Sequence, residues 1–218
     1  MSFHHSVHSP NGLDSPIRPN LRRLLLVALT VAFMLTAVGC KQSESNPETY
    51  SATDVAGANF AKDFSLTDHN GQHRTLADFK GKVVILFFGY IQCPDICSNT
   101  LSELAAVMQR LGAKADGVQV LFVTLDPERD TPSIMSKFVS SFNPKFLGLY
   151  ASPAQIAETA KEFKLFYQKQ PGKSKQNYTL DHSSGTYIYD ASGKLRLYAS
   201  YELGVDALVA DIQLLLME

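Results

Sequence analysis

Val83-Val84-Ile85-Leu86-Phe87-Phe88-Gly89-Tyr90-Ile91-Gln92-Cys93-Pro94-Asp95-Ile96-Cys97 opens with an unbroken apolar run and closes on two cysteines. The run is rich in β-branched and aromatic residues, as expected of a strand buried on both faces. Beyond the cysteines, Leu101, Leu104, Ala105, Met108 and Leu111 recur at helical spacing. Val118 to Thr124 is a second buried strand. A helix crossing between two buried strands implies a parallel sheet centre.

Working outward, Phe64 to Thr67 reads as a short strand, and Asp68-His69-Asn70-Gly71 as a hairpin turn in which Asn-Gly supplies positive φ. Leu76 to Phe79 reads as one helical turn. After Val118–Thr124, Leu125-Asp126-Pro127-Glu128-Arg129-Asp130-Thr131-Pro132 leads into a helix with Asp130 or Thr131 as its cap and Pro132 in its first turn. Phe146 to Tyr150 is a short strand and Pro153 to Phe166 an amphipathic helix. Residues 168–177 form a polar, basic loop. Thr186 to Tyr189 and Leu195 to Tyr198 flank a turn and make a late edge hairpin, and Val205 to Leu216 is a closing helix. The order predicts an α/β, thioredoxin-like fold with an N-terminal β-hairpin insertion.

The first forty residues follow other rules. Arg18, Arg22 and Arg23 precede an apolar stretch from Leu24 to Val38, and Gly39-Cys40 is followed at once by polar residues. This is a secretory signal, and its apolar run is shorter than the roughly 20 residues of a spanning helix. Ala37-Val38-Gly39-Cys40 resembles a bacterial lipobox, without the usual Leu at position 37. The expected organisation is a lipoprotein signal peptide over 1–39, lipid on Cys40, a flexible tether through residue 58 and a domain over 59–218. An uncleaved anchor helix is the alternative, and either form exports the domain and tethers it to the membrane of a bacterial cell envelope, facing the periplasm or the outer surface.

The chain of 218 residues carries a formal net charge of −1. Nucleic-acid binding, which wants a clustered basic surface, is not indicated. Nothing signals an oligomer, and a monomer is expected. With Cys40 assigned to lipid, Cys93 and Cys97 remain of the three cysteines. A bridge closing so short a loop would stabilise little, so chemistry is the better use for the pair. At the end of a central strand, and with Pro94 as first helical residue, both thiols would lie in a first helical turn, where the dipole favours thiolate. Their spacing supports both a chelate and a disulfide. Two thiolates suit Cu(I), and an added imidazole suits Cu(II) as well; a closed zinc site would want four ligands. Outside the leader, His69, His73 and His182 are available. His69 and His73 read as solvated turn histidines, and His182 taken alone as a cap or surface residue.

Phe88-Gly89-Tyr90 before Cys93-Pro94-Asp95-Ile96-Cys97, the segment Thr124 to Pro132, and Asp181-His182-Ser183 together resemble the Sco/SenC copper proteins, from about residue 59 to the end. The resemblance implies a thioredoxin-like fold, copper held by Cys93, Cys97 and His182, and a metallochaperone that helps assemble the binuclear copper centre of cytochrome c oxidase subunit II. Ile91, Gln92 and Ser98 depart from the family pattern at the rim of the site. Alternatives are a thiol–disulfide reductase with Cys93 and Cys97 as its catalytic pair, which keeps a recipient's copper-site cysteines reduced, and a copper or redox sensor. Asp95, Asp126 and Asp130 are expected to shape a helix start, a turn and a cap.

Overall fold

The structure is a computed structural model that describes residues 49–174 and 177–218. Residues 1–48, with the expected signal peptide, Cys40 and the first part of the expected tether, lie outside the described residues. Among those described, no helix is long and apolar enough to cross a membrane.

The order is β1 (Thr53–Asp54), β2 (Leu66–Asp68), β3 (His73–Arg74), a 3-10 turn (Leu76–Phe79), β4 (Val83–Gly89), α1 (Ile96–Leu111), a second 3-10 turn (Gly112–Gly117), β5 (Val118–Thr124), α2 (Pro132–Phe142), β6 (Leu147–Tyr150), α3 (Pro153–Glu162), β7 (Tyr167–Ser174), β8 (Asn177–His182), β9 (Thr186–Tyr189), β10 (Leu195–Ala199) and α4 (Val205–Leu215). The main sheet runs β1-β10-β9-β4-β5-β6-β2-β3. β4, β5 and β6 are parallel, and β9 adds to β4 antiparallel. The fold is α/β and thioredoxin-like. The front hairpin β2–β3 extends the sheet beyond β6, as expected of the N-terminal insertion.

β4 is buried along its whole length because both faces are covered. Phe87 faces Phe122 (ring centroids 6.3 Å apart), which meets Phe138 of α2 at 5.7 Å. Phe88, on the opposite face, packs on Phe163 at the end of α3 at 4.9 Å and on Tyr187 at 5.9 Å. Each such fully buried aromatic stabilises by roughly 1.5–3 kcal/mol, so β4 anchors the strand end from which the cysteines follow.

Several expectations are corrected. The domain begins before Asn59. β1 pairs with β10, Ala52 is buried, and the N–H groups of Ser51 and Ala52 donate to the two carboxylate oxygens of Asp211 in α4 at 2.8 and 2.7 Å. Residues 49–58 are therefore part of the fold; their polarity hid a strand whose partners lie over a hundred residues away. Of the segment expected to be a loop, residues 168–174 and 177 are strand. β7 and β8 form an antiparallel ribbon with Tyr167 opposite His182 and Lys169 opposite Leu180. The late hairpin is not an edge: β9 sits between β10 and β4, and β10 between β1 and β9. His69 is half-buried, and its Nδ1 accepts from Gly148 N at 3.0 Å, which fastens the front turn to β6. Burial lowers its pKa. His73 is exposed and bonds Ser65.

Candidate metal centre

The site forms at the carboxyl ends of the parallel strands, as open α/β sheets favour. β4 ends at Gly89, and a backbone turn carries the chain to the helix: Cys93 N–H donates to Tyr90 O at 3.2 Å. α1 begins only at Ile96, with Asp95 as its N-cap. Cys97 therefore lies in the first turn, while Cys93 and Pro94 precede the helix. The pair was expected on one helical face; instead the turn folds Cys93 back toward Cys97. His182 arrives from the other side, as the last residue of β8.

The three ligand atoms lie within 4.8 Å of one another, and His182 Nε2 is 3.6 Å from Cys97 Sγ. Nitrogen and sulfur ligands about 2.0–2.3 Å from one ion sit about 3.3–4 Å apart, so the spacing is close to that of a chelate. Both cysteines are free thiols. Cys93 is partly exposed and Cys97 is wholly buried.

The other ring nitrogen of His182 leaves Nε2 able to ligate a metal. Nδ1 lies 2.9 Å from the Ser183 carbonyl. A carbonyl only accepts, so Nδ1 carries the hydrogen and the neutral ring keeps a lone pair on Nε2, the atom facing the sulfur. Burial lowers the His182 pKa, which keeps that lone pair free near neutral pH. Tyr90 and Phe87 flank the ring edge-on, with centroids at 6.0 and 6.4 Å.

The thiolate expectation fails for Cys97. Burial pushes its thiol far above the ordinary range, and the neighbouring Cys93 and Asp130 add to the rise; the Tyr90 N–H works in the other direction and loses. A helix end contributes a fraction of a charge, whereas desolvating a full thiolate costs several pKa units. Burial therefore favours the protonated form of Cys97 in the metal-free site.

The acidic residues after β5 do more than turn and cap. Asp130 is 2% exposed, and its Oδ2 accepts from Thr124 Oγ1 at 2.6 Å and from Ile91 N at 3.1 Å. It braces the cysteine loop and leaves the cap position to Thr131. Asp126, 1% exposed, is paired with Arg129 and accepts from Tyr178 Oη at 2.7 Å. Asp95 is exposed and accepts from Asn99. Sequence reading weighed Asp126 and Asp130 chiefly as turn formers and gave no role to Arg129 or Tyr178.

An open groove of about 500 Å³ leads to the centre, lined by Tyr90, Cys93, Ile96, Leu180, Asp181 and His182 among others. A larger hollow between α1 and the end of α2 contains none of the three ligand candidates.

A family model described as SCO1/SenC matches residues 52–217. The mouse protein named "Protein SCO2 homolog, mitochondrial" is 38% identical over 153 residues, covering 69% of this chain. The match spans 60% of that relative's length. Many solved structures are similar, among them the following two. ScoI of Bradyrhizobium japonicum with copper bound has 36% identity and a TM-score of 0.65, over 72% of this chain and 98% of that one. Apo Sco1 of Thermus thermophilus has 37% identity and a TM-score of 0.70, over 78% and 98%.

Proposed function

The chain belongs to the SCO1/SenC family, and we propose that it is a copper chaperone that takes its cargo on Cys93, Cys97 and His182 and delivers it to the binuclear centre of cytochrome c oxidase subunit II. The observation that carries this reading is the meeting of two thiols and an unprotonated imidazole nitrogen within 4.8 Å. The copper-bound relative at 36% identity supports copper as the ion. Two soft sulfurs suit Cu(I), and the imidazole extends the site to Cu(II). Three ligands at the end of an open groove leave a side from which a recipient's ligands can attack, so the ion passes by ligand exchange without being freed. Lipid on Cys40 would hold the domain at the outer face of a bacterial membrane, where such a recipient is exposed.

The test is an anaerobic copper titration of the reduced protein, wild type beside His182→Ala, read by absorption and electron paramagnetic resonance. One equivalent of Cu(II) with thiolate charge-transfer bands, lost in the variant, is expected. A wild type that retains no copper while its cysteines oxidise overturns the chaperone reading.

A second reading, thiol–disulfide reduction of the recipient's cysteines, is favoured by the unequal exposure of the pair. Partly exposed Cys93 could attack, and buried Cys97 could resolve the mixed disulfide from within. It predicts that Cys93→Ser abolishes exchange while His182→Ala leaves it nearly intact.

A further inference from the structure

His182 is held on several sides: the Phe87 and Tyr90 rings flank it, and next to it Ser183 N–H donates to Phe166 O at 2.9 Å while Ser183 Oγ accepts from Phe166 N at 3.2 Å. β8 belongs to a two-stranded ribbon outside the main sheet, so no ladder of the main sheet sets its distance from the cysteines. A further set of contacts ties the ribbon to the cysteine loop, and it converges on one side chain.

Arg129 reaches three segments at once. Its Nε pairs with Asp126, at the foot of the loop after β5. Its Nη1 donates to Gln92 Oε1 at 3.0 Å, one residue before Cys93, and to Tyr178 O at 3.0 Å, four residues before His182. The guanidinium carbon lies 3.6 Å from the centre of the Tyr178 ring, and Tyr178 Oη returns to Asp126 Oδ1 at 2.7 Å. The cluster closes on itself, from Arg129 to Tyr178 to Asp126 and back. Lys169 adds an outer tie, to Glu128 at 2.5 Å and over the same ring at 4.6 Å. The side chain of Arg129 is 14% exposed and that of Asp126 is 1% exposed, so the pair is enclosed. Arg129 Nη2 is enclosed too and has no partner among the described residues. The guanidinium gives up one donor in order to span the others.

We propose that Arg129 is the positioning residue of the metal centre, the fixed point that holds the His182 ribbon and the cysteine loop at chelating distance. The inference deepens the copper reading and rests on it for the ion. A planar fork with several donors can bond a carboxylate, an amide oxygen and a backbone carbonyl together while stacking on a ring; an ammonium of one point charge cannot. Without Arg129, Cys93 and Cys97 keep their own loop, still braced by Asp130, while the ribbon loses its inner attachment and His182 drifts.

The experiment uses Arg129→Met and Arg129→Lys beside wild type and His182→Ala, with three readouts: Cu(I) competition, Cu(II) resonance with nitrogen coupling, and alkylation of Cys97 in the metal-free protein by iodoacetamide. In Arg129→Met, Cu(I) affinity is expected to stay within a few fold, because the two thiolates remain. Cu(II) affinity is expected to fall about 10–100-fold, the range for losing the support of a ligand, with the nitrogen coupling weakened as in His182→Ala. Alkylation of Cys97 is expected to accelerate about tenfold or more as His182, 3.6 Å from the sulfur in the wild type, moves away. Arg129→Lys is expected to recover less than half of the loss, and it carries the test if the Met variant does not fold. Tyr178→Phe, which removes only the bond to Asp126, is expected to shift the same readouts in the same direction and less far. Variants that unfold more easily but show wild-type nitrogen coupling and unchanged Cys97 alkylation would overturn the proposal. If wild type itself binds no copper, the copper reading fails, and the alkylation rates still decide whether Arg129 positions the ribbon.

Discussion

Replacing Gly89 by alanine probes the least forgiving spot in the site. The residue ends β4, its carbonyl accepts from Leu125 N at 2.8 Å, and its φ lies outside the left-handed region, so alanine brings no backbone strain. The added methyl, however, would stand 2.8 Å from Cys97 Sγ, 3.0 Å from Phe122 Cε2 and 3.1 Å from Phe87 Cε1. Ordinary contact begins at 3.4 Å, so the sulfur must retreat by about 0.6 Å. The rings belong to the fully buried core and have little room to yield. Overpacking of this kind costs about 1–3 kcal/mol. A metal site tolerates ligand displacements of roughly 0.2 Å, so copper affinity should fall as well, by about 10–100-fold. The assay is a double-mutant cycle on the reduced, metal-free protein by denaturant unfolding: Gly89→Ala alone, Cys97→Ala alone, and both. Because the closest clash is with Sγ, removing that atom should reduce the cost of the methyl by about 1 kcal/mol, leaving the part due to the two rings. An equal cost in both backgrounds would show that Gly89 does not hold open the place of the sulfur, and the reasoning would be refuted.

Other expectations are simpler to check. Because burial holds the Cys97 proton on, copper loading must expel it; affinity should tighten with pH by up to about tenfold per unit for each thiol proton displaced, and Cys97→Ser should lose about one such factor in a competition titration between pH 6 and 8. The folded state keeps His182 neutral by burial. Its contribution to stability is therefore present above the unfolded value of about 6.5 and lost as pH falls through that value toward the lower folded one; His182→Ala should flatten that part of the stability profile. Burial pushes the Asp68 carboxyl up, but the Gln72 and Asn70 N–H groups and Arg74 outweigh it and the net direction is down. Its stabilisation is present above about pH 3.9 and lost below as pH falls through the folded value, so Asp68→Asn should unfold with a weaker acid dependence. Asp211→Ala leaves the Ser51 and Ala52 N–H groups without their acceptors; it should cost about 1–3 kcal/mol and speed amide exchange over residues 50–55.

The parts of this molecule that were legible in its sequence are those whose energetics are local or periodic. β4 and β5 announce themselves because burial on both faces needs an unbroken apolar run, and α1 because its core face repeats every three or four residues. What stayed hidden is polar structure held by distant polar partners. β1 is legible only to a reader who knows that Asp211, deep in α4, offers its two oxygens to Ser51 and Ala52. The ribbon β7–β8 has the composition of a loop; it is held as strands by its own pairing and by a tyrosine clasped between Arg129 and Lys169. The cysteine pair was nameable in advance, and His182 through the family resemblance, yet the raised pKa of the Cys97 thiol was not, because helix position suggests a thiolate and only the packed structure brings in desolvation. The run from Asp126 to Thr131 ties these points together. As sequence it is a polar turn; in the fold, Asp130 holds the cysteine loop, Arg129 reaches both that loop and the ribbon, and Asp126 closes the circuit through Tyr178. On the chaperone reading, a polar clasp between separate segments supplies chelating geometry while leaving each ligand on its own support, from which it can yield to a recipient's ligands.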